Sequence, residues 1–502
     1  MNIFALKIEQ LNYKYPNTSH YTLKNINFTV GKGEFVFITG KSGCGKSTLA
    51  RCINGILPKI LGGEISGSII LNGKDIADME VSDLAGDLGF IFQNPESQFF
   101  TLKVEDEVAF GPENINLDKK EIEKRVKWAL EKVMMYHKKN ENVFHLSEGQ
   151  KQKVAIGANL SLLPEILVLD EPTSNLDPPN AFKLFEILKN LKEMGKTIIL
   201  IDHRTQYGLE LADRVLIMNN GQIAVDSEIE ILKDEKVREL YGIRNPEVLI
   251  KELKNDKGTS SIKNEDIVLK VSNLSYSYPD GFSVEKINFN LIKGQCLGIL
   301  GSNGSGKTTL AKMLVGLIKP EKGRIEFINT EKKNFKIGMI FQNPDHQLFM
   351  DSVYSELSFG MDKFDINENE LEERIMEVLE SMNLKGMNKR HPHSLSGGEK
   401  QRTIISAFLV REPNILILDE PTTGMDYYHM QKLVNEIKRI LKKDISVILI
   451  SHDLEFLQQS TDKLIIMSGG KIVNEGDSQT ILTRENLNQC FEGDKLLSYI
   501  KL

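Results

Sequence analysis

GKSGCGKST at 40–48 and GSNGSGKTT at 301–309 decide the fold. Each satisfies the spacing G-x-x-x-x-G-K-[ST]. Each also follows a β-rich run, EFVFITG or QCLGILG, and precedes a helix-forming stretch. Glycines let successive backbone N–H groups curl round phosphate oxygens, and the helix that follows presents its positive end. The candidate contacts in the first loop are Gly40, Lys41, Ser42, Gly43, Cys44, Gly45, Lys46, Ser47 and Thr48; in the second they are Gly301, Ser302, Asn303, Gly304, Ser305, Gly306, Lys307, Thr308 and Thr309. Lys46 and Lys307 add charge at the outer phosphates, and Ser47 and Thr308 offer a hydroxyl to Mg²⁺. One match is compatible with a chance glycine turn. Two, each between strand and helix, read as nucleotide sites.

Working outward, the whole chain is a repeat. IFQNPESQFF (91–100) returns as IFQNPDHQLF (340–349), HLSEGQKQK (145–153) as SLSGGEKQR (394–402), EILVLDEPTSNLD (165–177) as NILILDEPTTGMD (414–426), and LIDHR (200–204) as LISHD (449–453). Lys46 and Lys307 stand 261 positions apart, whereas Gln93 and Gln342, Glu171 and Glu420, and His203 and His452 each stand 249 apart. The first copy therefore carries 12 extra residues between phosphate loop and glutamine, expected within 56–86. The polar stretch KELKNDKGTSSIKNED (251–266) reads as a linker, giving domains 1–250 and 267–502.

Alternating segments near 3–9 with 22–30, and 267–274 with 284–292, predict antiparallel strands. EILVLD, NILILD, KTIILID and ISVILIS are near-continuous apolar runs, as strands of a parallel sheet buried on both faces should be. Charged stretches 118–140 and 366–383 have helical period. Asp170-Glu171 and Asp419-Glu420 end apolar strands, where open α/β sheets place ligand residues. Asp170 and Asp419 suit a hard Mg²⁺ ion, and Glu171 and Glu420 suit polarising an attacking water or taking its proton.

Composition bounds the answer. The 502 residues exceed one ordinary core. A hydrophobic share of 40% and a charged share of 26% are those of a folded protein, and a net charge of -7 argues against a dedicated nucleic-acid binder. Cys44, Cys52, Cys296 and Cys490 are scattered without a CxxC pair, which favours a reducing compartment. MNIFALKIEQ shows no secretory pattern, and no apolar run reaches the roughly 18 residues that span a bilayer. Cys44 sits at a variable loop position and is expected to be structural filler, the alternative being a thiol made reactive by a positive surrounding. Trp128 is expected to pack, and His391-Pro392-His393 is expected to be a loop rather than a metal site.

LSEGQ (146–150) and LSGGE (395–399) resemble the signature of ABC-type ATPases, and the order of motifs matches across nearly all of both halves. The resemblance implies two tandem ABC nucleotide-binding domains of α/β class, each a RecA-like P-loop core with an antiparallel β subdomain and a helical signature subdomain. It implies that the halves pair head to tail, so that Ser147 and Gly149 face the nucleotide of the second loop, and Ser396 and Gly398 that of the first. Gln93 and Gln342 match the Q-loop glutamine, which approaches Mg²⁺ and the attacking water. Asp177 and Asp426 match the D-loop aspartate, His203 and His452 the switch histidine at the γ-phosphate, and Tyr15 and Tyr278 the aromatic that stacks on adenine. Glu148 replaces a glycine of the pattern and Glu399 a glutamine; neither removes the serine or the second glycine, so two competent sites are expected, of equal or unequal rate.

Within the family, FQNPESQFF with VEDEVAFGPEN (104–114), and FQNPDHQLF with VYSELSFGMDKF (353–364), look like the energy-coupling factor, or cobalt-type, importers. That implies an ATP- and Mg²⁺-dependent motor, peripheral on the cytoplasmic face of the membrane. Its implied partners are a transmembrane scaffold subunit and a small substrate-binding membrane subunit, with no nucleic acid. The cargo would be a vitamin, a vitamin precursor or a metal ion. A duplicated sugar-importer ATPase is the alternative, although that class usually has one degraded site. A tandem cassette acting on ribosomes or DNA is another, although such proteins carry basic linkers or inserted arms. The coupling segments are expected at 98–111 and 347–360, carrying Phe99, Phe100, Val104, Val108 and Phe110, and Leu348, Phe349, Val353, Leu357 and Phe359.

Overall fold

The computed structural model describes residues 4–246, 266–279, 281–328, 336–361 and 366–491. Apart from Asp266, the expected linker 251–266 lies outside the described residues. Internal packing divides the chain into two units, residues 1–247 with 424–428, and residues 248–423 with 429–502.

In the first unit the apolar runs become a six-stranded sheet, in the order Gln222–Ser227, Arg214–Asn219, Phe35–Gly40, Thr197–Ile201, Ile166–Asp170, Leu88–Ile91. All neighbours are parallel except the outermost pair, Gln222–Ser227 on Arg214–Asn219. Phe35–Gly40, Ile166–Asp170 and Thr197–Ile201 are buried at every position. Side chains still alternate between faces, as the two-residue strand period requires. Phe35, Phe37, Leu167, Leu169, Ile198 and Leu200 join a core built with helices. Val36, Ile38, Ile166, Val168, Ile199 and Ile201 join a second core built with the phosphate-loop helix Lys46–Ile53 and a four-stranded antiparallel sheet. Burying each such side chain contributes roughly 1.5–3 kcal/mol. Trp128 is partly buried against the helical core, as expected.

The second unit repeats the plan. Its sheet runs Ile337–Ile340, Ile415–Asp419, Ser446–Ile450, Cys296–Gly301, Lys463–Ser468, Lys471–Asp477, with the last pair antiparallel. The antiparallel sheet beside it holds Ser283–Ile292, Ile267–Ser277 and Lys322–Phe327.

The antiparallel strands pair as expected, Phe4–Lys14 with Leu23–Gly31 and Ile267–Ser277 with Ser283–Ile292, the first strand of each pair running longer than its alternation suggested. The helices are shorter than their charged stretches. Lys119–Lys132 stops before Met134, which takes φ 57°, and Glu368–Ser381 stops before Asn383 at φ 54°. The left-handed conformation breaks the helical hydrogen-bond run in both places.

Register also resolves the 12-residue insertion into two parts. Leu71 pairs with Leu6 where Phe327 pairs with Leu269. Lys46 to Leu71 spans 25 positions against 20 from Lys307 to Phe327, and the other seven fall between Leu71 and Leu88. The first part includes the short helix Ile56–Lys59, and the second includes Val81–Leu84. Both parts add to the core beside the antiparallel sheet, since Leu57, Ile76 and Leu84 are buried in it.

Candidate functional site

Each phosphate loop ends on a glycine that the backbone requires. Gly45 has φ 106° and Gly306 φ 98°, and a Cβ on Gly45 would come within 2.9 Å of Leu23 Cδ2. The turn folds the loop over its own lysine. Lys46 Nζ donates to the Gly40 and Lys41 carbonyls at 3.0 and 3.1 Å, and Lys307 Nζ to those of Gly301 and Ser302 at 2.8 and 2.9 Å. Both ammonium groups are buried and ready to meet an anion held by the loop.

Behind each loop, a hydroxyl meets the aspartate at the end of a buried strand. Ser47 Oγ donates to Asp170 Oδ1 at 3.0 Å, and Thr308 Oγ1 to Asp419 Oδ2 at 2.9 Å. Burial first, and the neighbouring glutamate as well, push each aspartate up to about 6. Asp419 Oδ1 is buried without a hydrogen-bond partner. An orphaned carboxylate oxygen beside a hydroxyl is a donor set that fits Mg²⁺, which takes one or two carboxylates plus substrate phosphates rather than a protein cage. Among the described residues no cluster of three His, Cys, Asp or Glu competes as a metal centre.

Glu171 and Glu420 turn away from their aspartates because each adopts a left-handed backbone, φ 48° and 47°. Glu171 Oε1 lies 3.2 Å from His203 Nε2, and Gln93 Nε2 donates to Glu171 Oε2 at 3.0 Å. Glu420 Oε1 lies 2.9 Å from His452 Nδ1, while Glu420 Oε2 accepts from Ser451 Oγ and the His452 N–H, both at 3.3 Å. Burial raises both glutamates, but their histidines and the loop lysines outweigh it, so each carboxyl is held below its ordinary value. An ionised carboxylate in such a place can accept a proton or orient water. The two glutamines differ: Gln342 Nε2 reaches Thr423 Oγ1 at 3.5 Å instead of bonding its glutamate.

The signature residues are helix caps. Ser147 caps Glu148–Leu160 in a capping box with Gln150, and Ser396 caps Gly397–Leu409 in a capping box with Glu399. This gives the Glu399 departure a local purpose. Its Oε2 accepts from Ser396 N at 2.8 Å and from Ser396 Oγ at 2.9 Å, and the backbone bond outweighs burial to hold the carboxyl below its usual range. Glu148 pairs with Lys151 at 3.0 Å, and Lys151 also meets Glu96. Gly149 is fixed by packing, since a Cβ there would come within 2.7 Å of Asn180. At Gly398 the nearest side chain, His429, would be 3.3 Å away. Asp177 caps Pro178–Glu193 and accepts the Asn180 N–H at 3.1 Å. Asp426, in the stretch 424–428 that groups with the first unit, accepts the Ser42 N–H at 2.6 Å.

Tyr15 and Tyr278 stand over their loop helices, their hydroxyls 3.2 Å from Thr48 Oγ1 and 3.3 Å from Thr309 Oγ1. In the second unit a cavity of about 390 Å³ gathers Tyr278, Asn303, Gly304, Gly306, Lys307, Thr308, Thr309, Gln342 and Glu420. Phe282 also lines it, which the motifs did not indicate. One further residue escaped the sequence reading. Buried Asp202 accepts Thr173 Oγ1 at 2.7 Å and the Arg204 N–H at 2.9 Å, at the place where the second copy has Ser451. The only signal was LIDHR against LISHD. Cys44 is buried filler, as expected: burial raises its thiol more than Lys46 lowers it.

The coupling segments are also sorted by burial. Val104, Val108, Leu348, Val353 and Leu357 are core, whereas Phe100, Phe349 and Phe359 are exposed. Buried Glu107 accepts the N–H groups of Phe100 and Thr101 at 3.0 and 2.8 Å, and buried Glu356 those of Phe349 and Met350 at 3.1 and 3.0 Å. Phe100 stacks on Phe110 and Phe349 meets Phe359 edge-on, each at 4.9 Å. Among the described residues no helix is long and apolar enough to cross a membrane.

A family model described as ABC transporter matches residues 23–174 and 284–423. An inferred ABC transporter ATP-binding protein of Methanosarcina mazei is 38% identical over 96% of this chain and 91% of its own length. The archaeal ribosome recycling factor aABCE1, solved with the ribosomal stalk protein aP1, covers 98% of this chain and 92% of its own at 22% identity and a TM-score of 0.63, a likeness of fold alone. The cbiO1 protein of Clostridium perfringens, part of an ABC transporter complex, is 34% identical over 44% of this chain and 93% of its own, with a TM-score of 0.41. With both copies of the loop, strand-end acids and signature in place, the chain belongs to the ABC transporter ATP-binding proteins, two cassettes fused in one polypeptide, a family that implies ATPase activity.

Proposed function

We propose that this chain is the Mg²⁺-dependent ATP-hydrolysing motor of an energy-coupling factor type importer. It would act peripherally at the cytoplasmic face of the membrane, through a transmembrane scaffold subunit and a small substrate-binding membrane subunit, on a vitamin, a vitamin precursor or a metal ion. The observation that carries hydrolysis is the pairing of Glu171 with His203 and of Glu420 with His452 above a buried loop lysine. Lys46 and Lys307 hold the outer phosphates. Asp170 with Ser47, and Asp419 with Thr308, hold Mg²⁺, which when bound neutralises charge on the phosphate oxygens. Glu171 and Glu420 orient the attacking water and take its proton, and the histidines fix the carboxylates. By the family resemblance, Ser147 and Gly149, and Ser396 and Gly398, each complete the site of the other half.

The coupling reading is supported by the exposed Phe100 and Phe349, each pinned by a buried glutamate just after the Q-loop glutamine. In the second unit Phe349, Phe359 and Phe408 line a groove of about 240 Å³, of a kind that takes an apolar helix face. The test is co-purification of Phe100→Asp and Phe349→Asp variants with the membrane subunits. Each variant should lose those subunits and transport while basal ATP hydrolysis stays within about twofold of wild type. Retention of the subunits at wild-type level, with transport unchanged, would place the contact elsewhere.

A further inference from the structure

Phe282 stands in the wall of the second unit's cavity beside Tyr278 and the phosphate-loop residues Asn303, Gly304 and Gly306. Its ring centroid lies 6.3 Å from that of Tyr278, with the two planes tilted by 35°. A Cβ built on Gly306 would come within 3.4 Å of Phe282 Cζ, so the ring reaches the loop itself. The backbone fixes this placement: the Tyr278 N–H donates to the Phe282 carbonyl at 2.8 Å, and the Gly281 N–H to the Tyr278 carbonyl at 3.1 Å. Thr309 anchors the far end of Tyr278. A hydrocarbon ring offers nothing to phosphate oxygens. The part of a nucleotide that gains from a second aromatic surface is the base, whose π-face accepts stacked or tilted rings.

The matching position in the first unit is placed differently. Strand register equates Tyr21 with Phe282, since Tyr13 pairs with Leu23 where Tyr276 pairs with Val284. Tyr21 is 46% exposed. The three atoms a Cβ on Gly45 would meet first belong to Leu23, Thr22 and Met218, whereas Phe282 Cζ is among the first three at Gly306. The turn there is also longer, with five residues between Tyr15 and Tyr21 against three between Tyr278 and Phe282.

We propose that Phe282 is a second base-contacting residue of the second unit, acting with Tyr278 on a purine ring, and that the first unit has no equivalent. The proposal rests on this cavity being a nucleotide site. It gives the two sites different selectivity for the base while their phosphate machinery stays alike.

The experiment uses the full chain carrying Lys46→Ala and Glu420→Gln, so that only the second site is read and it does not turn over. Mg²⁺-ATP and Mg²⁺-tripolyphosphate, which has no base, are titrated calorimetrically. Adding Phe282→Leu keeps an apolar side chain against Gly306 but removes the ring. It should weaken ATP binding about 5- to 10-fold and leave tripolyphosphate unchanged. Phe282→Trp should keep ATP binding within about twofold of the parent. Unchanged ATP affinity in the leucine variant, or equal weakening for ATP and tripolyphosphate, would overturn the base contact and leave Phe282 as a prop for the loop. A loss of ATP binding in the tryptophan variant with tripolyphosphate retained would overturn it as well. A parent protein that bound neither ligand would instead overturn the reading of the cavity as a nucleotide site.

Discussion

Glu171 and Glu420 are non-glycine residues with left-handed backbones, a conformation that costs about 1–2 kcal/mol. It survives because the neighbouring strand over-determines it: each glutamate N–H donates to a carbonyl of that strand, Ile201 or Ile450, at 2.8 Å. The kink separates the two acids of each pair, leaving the aspartate at the loop hydroxyl and swinging the glutamate to the histidine. The double substitution Glu171→Gln with Glu420→Gln preserves shape and hydrogen bonding but removes both carboxylates. Steady-state turnover should fall by about 100-fold or more, while nucleotide binding stays near wild type. Turnover close to wild type in that variant would remove both residues from the chemistry. Loss with one single substitution only would mark unequal sites, with the Gln93 and Gln342 contacts as the first difference to pursue.

Where helices meet, the second unit carries a buried carboxylate at a position that is apolar in the first copy. Glu436, on the helix Tyr427–Leu441, lies 3.9 Å from Arg402 of the signature helix Gly397–Leu409, whereas the matching position in the first copy is Ile187. Burial pushes Glu436 from its ordinary 4.5 up to about 7, against the lowering effect of Arg402, Arg439 and Lys432. The fold thus favours the protonated form. Its stabilising contribution is complete below about pH 4.5 and is lost as pH rises through about 7. Glu436→Gln mimics the protonated state at every pH. Its melting temperature should match wild type near pH 5 and exceed it by a few degrees near pH 8, at about 2–4 °C per kcal/mol. Equal melting temperatures at both pH values would show that Arg402 compensates the buried carboxylate fully.

For the molecule as a whole, the proposed pairing of halves makes each nucleotide site depend on both copies. Lys46→Ala should abolish hydrolysis at the first site and also lower it at the second, because joint closure then has one liganded side. A fragment of residues 1–250 has loop, glutamate and histidine but borrows no second signature, so as a monomer its ATPase rate should be at most a few per cent of the full chain per site. Mass measurement in solution alongside the assay decides the case. Wild-type turnover by a proven monomeric fragment would mean that one cassette suffices.

The sequence alone determined the α/β class, the duplication and the location of both loops, because these rest on local rules. Glycines are needed wherever a backbone must wrap phosphate, buried parallel strands read as unbroken apolar runs, and acids end them. Lys46, Lys307, Asp170, Asp419, Glu171 and Glu420 are accordingly legible from spacing. Tertiary structure decided what depends on residues distant in the chain. Gln93 and Gln342 sit in identical IFQNP strings yet find different partners, because a side chain's hydrogen bond depends on where other strands end. Val104, Val108, Val353 and Leu357 look like an apolar contact face in sequence, and only packing shows that they are core and that Phe100 and Phe349 reach solvent. Phe282 carries no motif. Its place at the nucleotide cavity follows from strand register and turn length, which bring a ring to the phosphate loop in one copy and leave Tyr21 facing solvent in the other.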